Sequence, residues 1–218
     1  MTTQTFINPS QVKAIVSAEL APLLVADGFK PIDPYKFVRS SKAPIREVVV
    51  IGFGKSECSV ACGWSLSFMP VISGERLRWQ RTEKSIRVFD VSRAPWDYDP
   101  PFHYTDWAIS MMNDEAACRV KAKALAPKVV TYASQWWNRI NTVEDVIDLV
   151  LSFKASDGGR HFGYWNLPRL QMTLAFASAF TGHREDARSA LDEYFSHYSC
   201  EAAIKAALTK ALDATGRT

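Results

Sequence analysis

One segment of the chain alternates so regularly that it predicts a two-faced β-strand. From residue 59 to residue 68, large apolar side chains alternate with small ones. The large ones are Val60, Cys62, Trp64, Leu66 and Phe68, and the small ones are Ser59, Ala61, Gly63, Ser65 and Ser67. Because successive side chains of a strand point to opposite faces, the pattern predicts one bulky face and one face without bulk. The face without bulk is expected to be either covered closely or wet.

Neighbouring segments extend this strand into a sheet. Strands are predicted at residues 35–39 and 46–53 and, as two shorter strands, within residues 76–91. In the last of these segments Ile86 and Val88 alternate with charged residues. Short connections through the glycines at positions 52, 54 and 74 favour antiparallel pairing over crossover helices. We expect the whole sheet to lie within residues 30–95.

The segment before the sheet is predicted to be an amphipathic helix. Asn8 is a suitable N-cap, Pro9 suits the first helical position, and Gln11 completes a capping box. Gly28 suits the left-handed residue that follows a helix. Apolar side chains recur between them at helical spacing: Val12, Ile15, Val16, Leu20, Leu23 and Leu24.

The second half of the chain is predicted to be helical. Pro127 is expected to break or kink the first helix, and Thr142 is expected to cap the next one. Gly182 lies between two segments predicted to form a helical hairpin, and a last helix follows; the ranges are 167–181, 185–198 and 200–214. The fold class is therefore α+β: an N-terminal helix on an antiparallel β-meander, followed by an all-helical C-terminal half.

The boundary between the halves is predicted in a proline-rich, aromatic segment. Residues 94–107 are interpreted as a hinge. This hinge divides the chain into residues 1–107, which hold the helix and the sheet, and residues 108–218, a helical region packed on them. We expect the two parts to form one compact unit.

Composition limits the classes of protein that the chain can represent. The net charge of +3 is too small by itself to argue for nucleic acid or an anionic membrane as a partner, and nucleic acid is not expected as one. No apolar run approaches the roughly 20 residues of a membrane span, and the first residues do not resemble a secretory signal. The four cysteines are spread through the chain and are expected to be reduced. These observations predict a cytoplasmic protein that does not bind membranes.

The order of these segments resembles a bacterial family called domain of unknown function 4304. The resemblance covers about residues 10–150. It is carried by Leu23-Leu24 before Gly28-Phe29-Lys30, by a short strand from Lys36 to Arg39, by Trp64-Ser65-Leu66 and by Trp136-Trp137. The resemblance implies a helix-plus-meander fold and, because some members occur among toxin-immunity-like sets, an immunity-like role without known catalytic residues.

A second resemblance covers about residues 170–195. Leu174-Ala175-Phe176, Gly182, Glu185, Ala187 and Tyr194 are similar to one tetratricopeptide-type helical hairpin. Because such repeats need about three copies to build a binding superhelix, a single copy is interpreted as a packed helix pair.

Two glycine-rich segments resemble phosphate-binding loops in part. Residues 52–56 end in Gly-Lys-Ser, but Val49 occupies the position of the first phosphate-loop glycine and a strand follows, so a β-turn is predicted there and no phosphate at Lys55. Residues 158–163 contain Arg160 and His161, which form either a loop between helices or an anion site. The chain has no Cys-x-x-Cys or His-Glu-x-x-His spacing, so no metal site is predicted, and no cofactor is predicted. A Cys or Ser nucleophile paired with a distant His stays open.

Charge is segregated along the middle of the chain. Residues 76–93 are basic and include Trp79, which suits either phosphate contacts or, as we prefer, protection of an edge strand. Residues 94–118 are acidic and aromatic. Aromatic side chains in such a loop either pin it to the core or anchor a partner protein, and we favour the first.

The sequence therefore leaves two functions. The preferred one is a non-catalytic cytoplasmic interaction protein with a protein partner. The alternative is a small-molecule-binding protein or an enzyme, with a site between the sheet and the helical half. The residues assigned to that site are Ser65, Arg87, Trp96, Tyr98, Arg160 and His161. Trp96 or Tyr98 is expected to cover the small face near Ser65 as an ordered lid.

Overall fold

A computed structural model describes the protein over residues 7–53, 57–86, 89–93, 109–110, 114–157 and 163–216. The helices are α1 (Pro9–Ala26), α2 (Glu115–Trp137), α3 (Val143–Asp157), α4 (Gly163–Phe180), α5 (Arg184–His197) and α6 (Ala202–Ala214). The strands are β1 (Lys30–Asp33), β2 (Lys36–Lys42), β3 (Ile45–Phe53), β4 (Glu57–Leu66), β5 (Pro70–Ser73), β6 (Arg76–Trp79), β7 (Val91–Arg93) and β8 (Ile109–Ser110). The α+β class is confirmed.

The main sheet has the strand order β1-β2-β3-β4-β7, and β8 pairs with β4. Strands β1 to β4 are antiparallel, as predicted. The register of the first pair places Lys30 opposite Val38 and Pro31 opposite Phe37. Strands β5 and β6 form a separate antiparallel hairpin in which Pro70 lies opposite Trp79.

Two expectations about the strands are wrong. Strand β8 pairs antiparallel with β4 through Ile109 opposite Cys58, so the sheet is not confined to residues 30–95. A two-residue strand has no alternation to detect, which explains why the pattern missed it. Ile86 follows a 3₁₀ turn at Glu83–Ser85 rather than lying in a strand. That turn is stabilised locally because the Ser85 hydroxyl accepts from the Thr82 N–H and donates to the Thr82 carbonyl.

Helix α1 begins and ends as its sequence predicts. The Asn8 side chain accepts from the Gln11 N–H at 2.9 Å, and the Gln11 side chain accepts from the Asn8 N–H at 2.8 Å. This reciprocal pair satisfies two N–H groups that a helix start leaves without partners. Gly28 has a φ of 86°, a left-handed conformation that favours glycine. Val12, Leu20 and Leu24 are among the buried residues of the helix.

Helix α2 runs from Glu115 through Pro127 to Trp137, so the predicted break is wrong, whereas the predicted alternative, a kink, stays a prediction. Proline removes one N–H donor from a helix, but the residues before and after it can still be buried against the core. Pro127 is exposed, whereas Ala126 and Val129 are buried. Packing of that buried face therefore outweighs the lost hydrogen bond.

The remaining helices match their predicted positions closely. The Thr142 hydroxyl accepts from the Asp145 N–H at 3.1 Å, which confirms the cap of α3. Asp145 accepts in return from the N–H groups of Asn141 and Thr142, and these bonds lower the pKa of its carboxyl group. Gly182, with a φ of 90°, lies between α4 and α5 and confirms the predicted hairpin.

The Cα positions divide the chain into two compact units whose segments interleave along the sequence. The first comprises Met1–Arg39, Glu47–Gly63 and Ser92–Asn138, and the second comprises Ser40–Arg46, Trp64–Val91 and Arg139–Thr218. In the first unit α1 packs against α2. In the second, α4 packs against α3 and α5, and α6 lies against α4, α5 and β6. The predicted boundary between residues 107 and 108 lies outside the described residues.

None of the described helices combines the length and the apolar character that crossing a membrane requires.

Candidate functional site

Of the residues assigned to a ligand site from the sequence, Ser65 is described by the structure. It is fully buried, and its hydroxyl accepts a hydrogen bond from Nη2 of Arg46 at 2.9 Å. Arg87, Trp96, Tyr98, Arg160 and His161 lie outside the described residues, and so does the expected lid over Ser65. What contacts Ser65 is therefore a charged side chain from the neighbouring strand β3, which the small-residue pattern did not predict.

Asp90 is the centre of a buried polar cluster in the second unit. Its carboxylate accepts from the Leu66 N–H at 2.5 Å and forms an ion pair with Arg169 of α4. The Asp90 N–H donates to the Trp64 carbonyl at 2.8 Å, and the Asp90 carbonyl accepts from the Thr173 hydroxyl at 2.8 Å. One residue thereby joins β4, the segment leading into β7 and α4.

Arg46 extends this cluster but is less well satisfied. Its Nη2 donates to Ser65 and to the carbonyl of Gln80. Arg46 as a whole is only 4% exposed. Its Nε and Nη1 are buried, and they have no hydrogen-bond partner among the described residues. A buried charge with unmet donors is costly, because no water replaces the missing acceptors.

Burial lowers the pKa of both arginines. The pKa of Arg46 falls to about 10 because of desolvation, which nearby Glu83 opposes. The pKa of Arg169 falls to about 9 for the same reason. Both guanidinium groups therefore remain protonated at neutral pH, so they act as fixed cations rather than as proton donors. The hydrogen bonds of Asp90 to Leu66, Trp64 and Thr173, with its ion pair to Arg169, stabilise the packing of the strands against the helix.

The cysteines are free thiols in the structure. Burial raises the pKa of Cys58 and of Cys62 to about 12, and it also raises the pKa of Cys118. A protonated, buried thiol is neither a good nucleophile nor a good metal ligand. These three side chains therefore belong to the core.

An open groove lies on the helical part of the second unit. Helices α3, α4 and α5 line a cavity of about 410 Å³. Leu174 and Ala190 are buried at its base, and Leu151 of α3 stays 44% exposed beside it. A volume of this size is within the range of about 300–1,000 Å³ found for ligand pockets.

The groove is acidic. Its carboxylates come from α3 and α5: Glu144, Asp148, Asp186 and Glu193. Lys154 also lines it and forms an ion pair with Glu193 at 2.6 Å, which joins α3 to α5. Among the described residues, four carboxylates and a single lysine line the groove, so it presents a negative field to a ligand. The exposed side chain of Leu151 adds an apolar contact beside these charges.

Sequence reasoning did not identify this groove, although one signal was present. The apolar positions of α3 include Val146, Ile147, Val150 and Leu151, a stripe two residues wide. Val146 and Val150 are buried, Ile147 is half-buried and Leu151 is exposed. The excess width of the stripe, with Glu144 and Asp148 beside it, indicates a second surface in addition to the core.

No group of three or more His, Cys, Asp or Glu side chains within the described ranges is placed to hold a metal ion.

Comparison of this chain with protein-family models, with curated proteins and with solved structures found no match. The resemblance to the bacterial domain family therefore stays a prediction.

Proposed function

We propose that this chain is a non-catalytic interaction protein, cytoplasmic and possessing a protein partner, and that the acidic groove binds a basic amphipathic segment of that partner. The observation that carries the proposal is the combination of an exposed leucine with several carboxylates along one open groove. An immunity-like role, implied by the family resemblance, is compatible with binding another protein in this way.

The chemistry of the groove favours a peptide over a small metabolite. An amphipathic helix buries apolar side chains at positions three and four apart, and here they would lie against Leu151 and above Leu174. Lysine or arginine side chains on either side of that apolar stripe would then meet Glu144 and Asp148 on α3 and Asp186 on α5. Several separate cations on one ligand are needed to match carboxylates spread over two helices.

The direct test uses a synthetic peptide of about four helical turns, with leucines on one face and lysines on the other. Fluorescence anisotropy of the labelled peptide measures its affinity. We expect saturable binding that weakens as salt is added, because the carboxylates are solvent-exposed or partly so. A peptide with glutamates in place of the lysines is expected not to bind.

Two double variants locate the binding. Glu144→Gln with Asp148→Asn is expected to weaken binding about fivefold or more, the effect of about 1 kcal/mol from two exposed charges. The matched control is Asp192→Asn with Glu201→Gln, which removes the same charge from exposed residues that do not line the groove. Equal weakening by both variants, or equal binding of the glutamate peptide, would contradict the proposal.

A further inference from the structure

A second cavity, separate from the acidic groove, lies beside the β5–β6 hairpin of the second unit. Its volume is about 370 Å³, which is large enough for a ligand of one or two rings. Aromatic side chains dominate its lining: Phe68, Trp79 and Phe180. Its other walls are the last turn of α6 and the residues that follow it.

The aromatic walls present flat surfaces. The rings of Phe68 and Phe180 are stacked, with centroids 4.3 Å apart and planes 13° from parallel. Phe180 remains 37% exposed, so part of its ring is open to the cavity or to solvent. Aromatic rings associate well in offset-stacked arrangements, so a flat ligand can extend this stack.

The side chain of Arg81 also lines this cavity. The Arg81 guanidinium lies 5.0 Å from the centroid of the Trp79 ring, and the Arg81 side chain is exposed. The face of an aromatic ring attracts a cation at this distance, and the N–H groups of an exposed guanidinium remain available to a ligand. No Asp or Glu lines this cavity in the described part of the chain, so the lining itself leaves the positive charge of Arg81 uncompensated.

The remaining wall is held by several contacts. Arg184 donates to the carbonyls of Leu212 and Thr215 at 3.1 and 2.6 Å. Gly216 has a φ of 79°, and a Cβ atom there would lie 2.7 Å from the Ala179 carbonyl oxygen. The backbone of Gly216 thus lies against the end of α4 at a distance that only glycine permits. These contacts form the cavity before any ligand binds, which lowers the entropic cost of binding.

We propose that this cavity binds a small, flat aromatic anion, such as an aryl carboxylate. The ring of the ligand covers the exposed part of Phe180 beside Trp79, and its carboxylate accepts hydrogen bonds from Arg81. A flat ring can stack on the aromatic walls, and an anionic group can form an ion pair with Arg81, the only charged residue in the described lining. A bidentate guanidinium–carboxylate contact also fixes the orientation of the ligand. This inference does not depend on the acidic groove, which has the opposite charge.

Isothermal titration calorimetry with 2-naphthoate tests the proposal on the wild-type chain. The comparison ligands are 2-naphthamide, which keeps the rings but lacks the charge, and cyclohexylacetate, which keeps the charge but lacks the rings. We expect 2-naphthoate to bind about tenfold more tightly than either, because both interactions are needed. Failure of 2-naphthoate to saturate the protein at millimolar concentration, or equal binding of the amide, would overturn the proposal.

Variants of exposed residues locate the site without disturbing the core. Arg81→Gln and Phe180→Leu are each expected to weaken 2-naphthoate binding about tenfold. The matched control is Arg78→Gln, which removes the same charge from an exposed position on β6 that does not line the cavity. If Arg78→Gln weakens binding as much as Arg81→Gln, the ligand is held by general charge and the assigned site is wrong.

The groove variant Glu144→Gln with Asp148→Asn separates this proposal from the proposed function. It is expected to leave the affinity for 2-naphthoate unchanged within about twofold. Loss of 2-naphthoate binding in that variant would place the ligand in the groove and overturn the inference. Peptide binding in the Arg81→Gln variant is expected to be unchanged, so each proposal can fail without the other.

Discussion

The two compact units each contain an arginine–carboxylate cluster, and the two clusters are stabilised differently. In the first unit Arg39 donates to Glu47 and, at 2.7 Å, to the Asp27 carbonyl, and it also pairs with the Asp27 carboxylate at 3.0 Å. In the second unit the central residue is a carboxylate, Asp90, which binds Arg169. An arginine is the hub of one cluster and an aspartate is the hub of the other.

The surroundings of the two hubs differ as well. The Arg39 guanidinium lies 4.7 Å from the ring centroid of Phe29 and 5.4 Å from that of Trp137, and its side chain remains 20% exposed. The Asp90 side chain has no exposed surface and depends on hydrogen-bond donors. Aromatic faces attract a cation while some of its hydration remains, whereas a buried carboxylate has lost its hydration entirely.

The two clusters are therefore expected to differ in their sensitivity to a single substitution. Removing a partner from a fully desolvated charge leaves that charge without compensation. When a partly hydrated cation such as Arg39 loses a partner, water and the neighbouring aromatic rings can replace part of the lost interaction. The Asp90 cluster is therefore expected to be the more sensitive of the two, and the following substitutions test that ranking.

The largest effect is expected for Asp90→Asn. The substitution keeps the shape of the side chain but leaves Arg169 without its counter-charge, which lowers the free energy of unfolding by about 3 kcal/mol or more. Urea denaturation followed by circular dichroism measures the change. Asp213→Asn is the matched control, because its 3.4 Å contact with Arg188 is exposed and its loss is expected to cost under about 0.5 kcal/mol. Similar losses for both variants would show that Asp90 has no special role.

A smaller effect is expected for Arg39→Lys. Lysine keeps the charge but replaces the Nε and Nη1 donors, which bind Glu47 and Asp27 separately, with a single Nζ, and the expected loss is about 2 kcal/mol. The control is Arg119→Lys, whose pair with Glu115 at 2.8 Å is exposed on both sides. The comparison of the clusters would fail if Arg39→Lys proved as damaging as Asp90→Asn under the same denaturation assay.

The smallest effect is expected for Ser65→Ala. Arg46 would lose one acceptor at Nη2 and keep the Gln80 carbonyl, so the expected loss is about 1 kcal/mol. Ser67→Ala is the control on the same face of the chain, with an expected change within about 0.5 kcal/mol. An unchanged melting temperature for Ser65→Ala would mean that the hydroxyl contributes nothing to holding Arg46.

Much of the fold follows from local patterns that the sequence displays. The capping box of Asn8 and Gln11, the left-handed glycines at positions 28 and 182, and the Thr142 cap all lie where the sequence predicts them. These features are recognisable because each involves residues within a few positions of one another. Strand β8 was not predicted, and the break offered as one outcome at Pro127 does not occur, because pairing and packing with distant residues decide both.

The candidate sites were harder to predict than the fold. Ser65 is buried and contacts Arg46, which was not predicted, whereas Trp96 and Tyr98, the residues predicted to cover it, lie outside the described residues. The acidic groove combines side chains from α3 and α5, and the aromatic cavity combines Phe68, Trp79 and Phe180. Each site joins residues that are far apart in sequence, and no local spacing signals such a combination.

The type and approximate bounds of most elements therefore follow from local sequence, since periodicity and caps act within a few residues. Which charges are buried together depends instead on contacts between distant parts of the folded chain. Arg46 and Asp90 resemble surface residues in the sequence, yet both are almost wholly buried. The physical reason is that burying a charge becomes tolerable once distant donors and acceptors surround it, and those partners are defined by the folded chain alone.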